Sequence, residues 1–337
     1  MKKLNQLRIF LNVAPILLFG LTSCKAGPPE LTRDNFATAE THRYFEEFTD
    51  QGAVNEFVHE ATIAVALDKQ TVIRSNIDMF YSHAIVDVSK GATLTLPESD
   101  GRLRLAQIID PNHFTSDVFY EAGTYELKSN SGAEFVYIFM RTGADPADSG
   151  DQAKARAIME GASITSEGAR SFTSEFGFDT DEIVAMRVEI IREATYTNSI
   201  GCFGDVDEIQ DFDHFTFCSA NGWGGLPEAH AVYKVEKTNM GIGCATMTID
   251  PPPVDYYWSL TVYDAEGWLA HPYPLRTSDN TTPNTDGTLT FNFGCGEDAL
   301  NNIDITENWS YALRMYGPQE PILNGTYQTE SPHVVQD

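Results

Sequence analysis

The sequence predicts a mostly β protein, α+β overall, made of two antiparallel β domains joined by a helical segment. Three observations carry that reading. Short alternating runs closed by turn residues fill positions 71–140, and similar runs return after Cys202. Between them, residues 145–200 lose the alternation and take up helical spacing. Finally, residues 24–337 are more than one hydrophobic core usually serves, so two domains are the default.

The chain opens on a leader, residues 1–23. Lys2, Lys3 and Arg8 make a positive start, and the apolar run from Ile9 to Leu21 is shorter than the roughly 20 residues a membrane span needs. Leu21-Thr22-Ser23-Cys24 resembles the lipobox cut by the lipoprotein signal peptidase. Cys24 is therefore expected to carry diacylglycerol on its thioether, with palmitate as an acyl chain, and to anchor the protein to a membrane. An ordinary secretory leader with an accidental cysteine is the alternative. It alters the tether and leaves the compartment unchanged. Residues 24–34 then form a tether stiffened by Pro28 and Pro29, and Lys25 after the cysteine points to the outer membrane, facing the periplasm or the cell surface.

With 22 Lys+Arg against 49 Asp+Glu the formal charge is −27, and loss of Lys2, Lys3 and Arg8 with the leader takes it to −30. No basic face can be assembled from so few cations, which excludes nucleic acid as a partner. The acidity reads as a solubility feature rather than as a cation site.

Four cysteines follow Cys24, all in the second half of the chain: Cys202, Cys218, Cys244 and Cys295. In an exported protein an even number reads as two disulfides. Cys202–Cys218, closing a short loop, and Cys244–Cys295, stapling two strands, are the favoured pairs among three possible connectivities. A four-cysteine zinc site lacks the close Cys pair that would seed it.

The elements follow in order. Phe36, Tyr44, Phe45 and Phe48 recur at helical spacing, so a helix opens the N-terminal domain, residues 35–144. Strands are expected around 84–88, 93–96, 103–109 and 134–140. In the connector, 145–200, Asp179 caps a helix with Glu182 three positions on and an apolar stripe through Ile183, Ile190, Ile191 and Ala194. From Cys202 onward strands return, forming the C-terminal β domain, residues 201–330, before a short tail at 331–337. Tyr256–Tyr263 leads into the turn Asp264-Ala265-Glu266-Gly267, Asp286-Gly287 precedes the strand Thr288–Phe293, and Trp309–Tyr316 is the last strand. On it, Trp309, Tyr311, Leu313 and Met315 share the core face, leaving Ser310, Ala312, Arg314 and Tyr316 on the other.

These residues resemble a known pair of families. VHEATIAVALDKQTVIRSNIDMFYSHAIVDVSKGATLTLP, continuing through GRLRLAQIIDPNHFTSDVFYEAGTYEL, resembles the domain of unknown function 1254. GWGGLPEAHAVYKV, PPVDYYWSLTVYDAEGWL, DGTLTFNFG and ENWSYALRMYGPQEPILNGTY resemble its usual partner, the domain of unknown function 1214. The resemblance implies that the C-terminal domain is a jelly-roll-like sandwich. It brings no catalytic residues. Asn76, Asp78, Tyr81 and Ser82 fall on the family's Asn-x-Asp-Thr-x-Tyr-Ser motif, with Met79 in place of its threonine. Asp110, His113 and Phe114 fall on an Asp-x-x-His-Tyr segment, with Leu103 and Leu105 where an aromatic residue and a serine are usual.

Candidate site residues come from the same stretches. Asp78, His113 and Tyr81 are the candidate acid–base groups, and Asn76, Arg74, Trp223 and Arg314 the candidate ligand-binding groups. Each has a plain structural alternative. Asn and Asp cap turns, His113 ends a strand as a surface histidine would, Trp223 among glycines suits a domain interface, and Arg314 suits a pair with Asp264 or Asp255. The run Asp205, Asp207, Glu208, Asp211, Asp213 lacks the glycine and terminal glutamate of an EF-hand, so no metal is assigned. No Gly-x-Ser-x-Gly elbow, His-Glu-x-x-His, phosphate loop or dinucleotide fingerprint occurs, and no cofactor is expected. Three roles stay open. The first is an envelope lipoprotein binding a small, partly apolar molecule between its β domains; the others are a metal-independent hydrolase or lyase for a lactone, ester or amide, and a structural envelope protein.

Overall fold

The computed structural model describes residues 29–63, 66–70, 73–196 and 199–335. Cys24 and the leader, and so the expected lipidation, lie outside them. The elements run α1 (Phe36–Asp50), β1 (Val58–His59), β2 (Met79–Asp87), β3 (Ala92–Leu96), β4 (Arg104–Ile109), β5 (Thr115–Phe119), β6 (Gly123–Glu126), β7 (Phe135–Gly143), α2 (Ser149–Glu160), β8 (Ser163–Ser166), α3 (Thr180–Glu193) and α4 (Phe212–Gly222). The second half continues with β9 (Ala231–Lys237), β10 (Ala245–Ile249), β11 (Val254–Tyr263), β12 (Leu275–Thr277), β13 (Leu289–Phe293), β14 (Asn302–Ile303), β15 (Ser310–Pro318), α5 (Glu320–Leu323) and β16 (His333–Val334).

The first domain rests on an antiparallel sheet of order β1-β2-β7-β4-β5. Strand alternation divides its residues between two faces. Phe80, Ala84, Val86, Ala106, Ile108, Val136, Ile138 and Met140 turn one way and close a core against Leu94 and Leu96 of the small sheet β6-β3-β8 and Ala155 and Met159 of α2. The opposite face carries cross-strand rows: Met79 beside Gly143, then Tyr81–Arg141–Leu105, His83–Phe139–Gln107 and Ile85–Tyr137–Ile109. Its apolar end, at Ile85, Tyr137 and Ile109, packs on Phe45 and Phe172. The end holding Tyr81 and Arg141 turns to the second domain.

That domain is a sandwich of the sheets β14-β13-β10-β16 and β12-β11-β15-β9. Trp309, Tyr311, Leu313 and Met315 face inward as the alternation requires, with Trp258, Leu260 and Val262 beside them and Met247, Phe291 and Phe293 opposite. The outer face of the second sheet therefore presents two rows, Tyr257–Tyr316–Ala231 and Thr277–Ser259–Arg314–Tyr233. Both predicted disulfides are present, Cys202–Cys218 with Cα atoms 5.7 Å apart and Cys244–Cys295 at 4.4 Å.

Three readings need correction. A helix, α4, stands where strands were expected after Cys202: Asp211 caps it by accepting from the His214 N–H, and Phe215, Cys218, Ser219 and Ala220 bury one side. The acidic run around it is mostly a cap and a turn. Second, Asp264 does not close a tight hairpin. Its carboxylate accepts from the backbone of Glu266, Gly267 and Trp268, and β12 pairs only later. Third, Trp309–Tyr316 is followed by one more short strand, β16, on β10.

α3 is capped by Asp179, which accepts from Asp181 and Glu182 N–H groups, and it joins α1 and α4 in a small core of Phe36, Ala39, Ile183, Ile190 and Ala220. No helix among the described residues is long and apolar enough to cross a membrane. Because the Cys244–Cys295 bridge closes a loop of sequence separation 51, loop entropy assigns it about 4 kcal/mol. The double variant Cys244→Ala/Cys295→Ala should lower unfolding stability by an amount of that order in urea titration. A change below about 1 kcal/mol would show that the reduced sandwich is already constrained.

Candidate functional site

Residues 74–81 lie against the outer face of the second domain, held there largely by backbone groups. Arg74 adopts a left-handed conformation, φ 53°, and its N–H donates to the Gly267 carbonyl at 2.7 Å. The Arg314 guanidinium donates to the Arg74 carbonyl at 2.8 Å, the Tyr263 hydroxyl to the Ser75 carbonyl at 2.8 Å, and the Asn76 amide to the Tyr316 hydroxyl at 3.3 Å. Asp78 follows, immediately before β2, and is 1% exposed.

The seam so formed is polar and incompletely bonded. Neither carboxylate oxygen of Asp78 has a hydrogen-bond partner, nor do Asn76 Oδ1, Ser259 Oγ or Arg74 Nε. Ser259 and Asn76 are near enough to favour the charged carboxylate, as does Arg314, yet burial outweighs them and pushes the Asp78 carboxyl above the ordinary aspartate range. Arg314 donates to the Thr261 hydroxyl at 3.2 Å and the Tyr263 hydroxyl at 2.8 Å. The expected partners Asp264 and Asp255 do not reach it. Asp264 serves its own turn and Asp255 accepts from Gln319, so the carboxylate acting on Arg314 is Asp78.

Tyrosines wall the seam. Burial lifts the Tyr81 hydroxyl to about 12 and raises those of Tyr233, Tyr257 and Tyr316. Tyr81, Tyr233 and Tyr257 nevertheless keep part of their surface accessible. Met79, Leu103 and Leu105, the positions where the chain departs from the family motifs, join Leu226, Ala231 and Tyr316 in one apolar cluster along this wall.

His113 and Trp223 belong elsewhere. His113 is 1% exposed, not a surface histidine, and holds a strained φ of 74°. The Gly224 N–H donates to its Nε2 at 2.9 Å, so the proton sits on Nδ1, which donates to Ser219 Oγ at 2.7 Å; Ser219 donates on to the Phe215 carbonyl at 2.9 Å. Both ring nitrogens are spoken for, and burial lowers the imidazole to about 3. Trp223 stacks on Tyr44 at 4.1 Å and on His113 at 5.3 Å, and its Nε1–H donates to Thr41. The two glycines that follow are required: a Cβ on Gly224 would lie 2.7 Å from the Phe139 ring, and one on Gly225 closer still to the Phe203 ring. Asp78 and His113 share no bonded partner, so the anticipated acid–base pair does not form. Sequence reasoning missed Ser259, Tyr233, Tyr257, Tyr263 and Arg141; their alternation on neighbouring strands was the available signal.

A cleft of about 540 Å³ lies elsewhere, between Pro29–Leu31 and α3. It is lined by acidic side chains including Glu30, Glu182 and Glu189, and none of its lining residues carries an unpaired buried polar atom. The seam instead gathers both Asp78 oxygens, Asn76 Oδ1, Ser259 Oγ and Arg74 Nε, all buried and unpaired.

The neutral burial of His113 has a pH signature. Between its unfolded value of 6.5 and about 3 the unfolded chain binds a proton that the folded chain refuses, so stability is lost as pH falls through that window. A gap of roughly three and a half units corresponds to about 5 kcal/mol as an upper bound. Asp78 acts oppositely: its raised carboxyl favours the fold at low pH and loses that contribution as pH rises. In His113→Gln, urea midpoints should change less between pH 7 and pH 4 than in the parent. An unchanged slope would place the acid sensitivity elsewhere.

Comparison with known proteins agrees with this architecture. No curated protein matches the chain. The crystal structure of the VPA0106 protein from Vibrio parahaemolyticus superposes with a TM-score of 0.69 at 16% identity, covering 90% of this chain and 98% of that one. A putative uncharacterized protein from Burkholderia cenocepacia gives 0.48 at 11% identity, over 85% of each chain. The first likeness establishes a shared fold. Residues 54–125 match the family described as protein of unknown function DUF1254, and residues 244–320 match protein of unknown function DUF1214. The motif Asn76–Ser82 lies in the first match and Ser259 and Arg314 in the second, so the chain carries a DUF1254 match followed by a DUF1214 match, and the seam is where the two matched regions meet.

Proposed function

We propose that this chain is a membrane-anchored envelope lipoprotein that binds a small, partly apolar molecule in the seam between its two β domains. The observation that supports binding most strongly is Asp78. A buried carboxyl with no hydrogen-bond partner costs about 1–3 kcal/mol or more, and a fold retains such a group most readily where a ligand completes it. Asn76 Oδ1 and Ser259 Oγ lie unpaired in the same seam, so the complement is a molecule with hydrogen-bonding groups at one end. Tyr81, Tyr233, Tyr257, Leu105 and Leu226 suit an apolar body. Outer-membrane anchoring rests on Leu21–Cys24 and Lys25 alone.

The hydrolase or lyase reading keeps Asp78, whose raised carboxyl is suited to proton transfer, and Tyr81 beside it. It loses His113, which has no free nitrogen. Binding without turnover is therefore the better-supported role.

Two outcomes test the proposal. In a thermal-shift screen of the mature chain against a metabolite and antibiotic library, Asp78→Asn should erase the response to any hit. Without ligand, its melting temperature should stay equal or rise, because an amide donates to the neighbouring oxygens where a carboxylate cannot. A fall worth about 1–3 kcal/mol, with the ligand response tracking the folded fraction, would make Asp78 structural. For the anchor, Cys24→Ala should lose acyl label and detergent-phase partitioning; equal labelling of parent and variant would refute lipidation.

A further inference from the structure

We infer that the molecule bound in the seam is an anion, a small carboxylate with a partly apolar body; this rests on the binding reading above and names its ligand class. The argument is one of charge. Arg141 stands on the first sheet between Tyr81 and Leu105 and is 5% exposed; Arg314 stands on the facing sheet at 6%. Arg74 joins them at the edge. Several other arginines of this acidic chain find carboxylates, Arg43 and Arg187 on Glu40, Arg102 on Asp100 and Asp151, Arg170 on Asp87 and Glu134. Arg104, Arg156 and Arg276 bond backbone carbonyls at separate places; only at the seam, among the described residues, do arginines without a carboxylate gather. Among the described residues Arg74, Arg141 and Arg314 make no ion pair within 4.0 Å.

Their bonds go to neutral groups. Arg141 donates to Gln107 Oε1 at 2.9 Å and to the Gly224 carbonyl, and lies 4.2 Å over the Phe139 ring and 5.9 Å from that of Tyr81. Arg314 donates to two hydroxyls and a carbonyl. Tyr81 and Tyr233 both feel Arg141, Arg314 and Asp78 together, so the three charges act on one space; Asp145 and Asp279 act on Tyr257 at its edge. Three guanidiniums against one carboxyl leave a buried positive excess in a chain carrying 49 acidic residues. Uncompensated buried charge is expensive, and a planar guanidinium matches a carboxylate with paired hydrogen bonds. Asp78, held towards its neutral form, meets such an anion as a donor rather than as a like charge.

Matched probes test this on the mature folded chain by thermal shift and calorimetry: phenylacetate against phenylacetamide, 4-hydroxybenzoate against its amide, octanoate against octanamide, with benzylamine and octylamine as cations. At least one acid should bind, its amide about tenfold or more weaker, and the amines not at all. Arg141→Gln should reduce acid binding by a similar factor while melting as a folded protein. Should Arg314→Gln fail to fold, the Arg141 variant decides alone. Amides or amines binding as well as acids, with the response still lost in Asp78→Asn, would overturn the anion and leave the binding seam standing. An acid whose binding survives Arg141→Gln and Arg314→Gln would also overturn it. No response to any probe at millimolar concentration would sink the anion and the binding seam together.

Discussion

The arrangement of this molecule turns on a carboxyl, Asp78, buried opposite a guanidinium, Arg314, with no hydrogen bond of its own. Each domain could close its apolar core alone, since one face of β2, β4 and β7 is covered by α2 and the small sheet, and one face of β11 and β15 by the opposite sheet of the sandwich. The two remaining faces are what meet. Strand alternation puts Tyr81 and Arg141 on one and Arg314, Ser259 and Tyr233 on the other. The contact is therefore polar at its centre, and the segment 74–76 is stitched across it by four hydrogen bonds. Interdomain faces of this kind are where ligands are commonly held.

Two polar centres on the first sheet face have opposite characters. Both nitrogens of the His113 ring are matched, from Gly224 through the imidazole to Ser219 and Phe215, and Trp223 and Phe203 cover the ring. Such a closed network rigidifies the join between α1, α4 and the sheet. Around Asp78 the matching stops short. Satisfied groups hold a fold in place, and unsatisfied ones are available to something else, which is why the second centre and not the first is the candidate site.

Much of this was legible in the chain. Alternation identified the strands and the inward face of Trp309–Met315, Asp179 marked its helix, and four cysteines behind a leader-like N-terminus implied the two bridges. Arg74, Asn76, Asp78, Tyr81 and Arg314 were each visible as motif residues, but their convergence depends on domain packing, which no local pattern encodes. α4 was hidden because its acidic capping residues and glycine-rich end read as loop, while its cysteine drew attention as half of a bridge. His113 misled for a related reason: a histidine after a strand-end turn looks exposed unless the helix that covers it is foreseen. Met79, Leu103 and Leu105, scattered in sequence as departures from the motifs, are neighbours in space and make this seam's wall apolar.

The most direct measurement is the titration of the Asp78 carboxyl itself, by carbon-detected NMR on protein labelled at aspartate, with Asp78→Asn to assign the signal. The account predicts a midpoint clearly above 3.8 in the unliganded protein, rising further in Arg314→Gln as the opposing charge of Arg314 is removed. A midpoint at or below 3.8 would mean that Asp78 is a satisfied ion-pair partner, and the seam would then be a structural joint with no unmet group to offer a ligand.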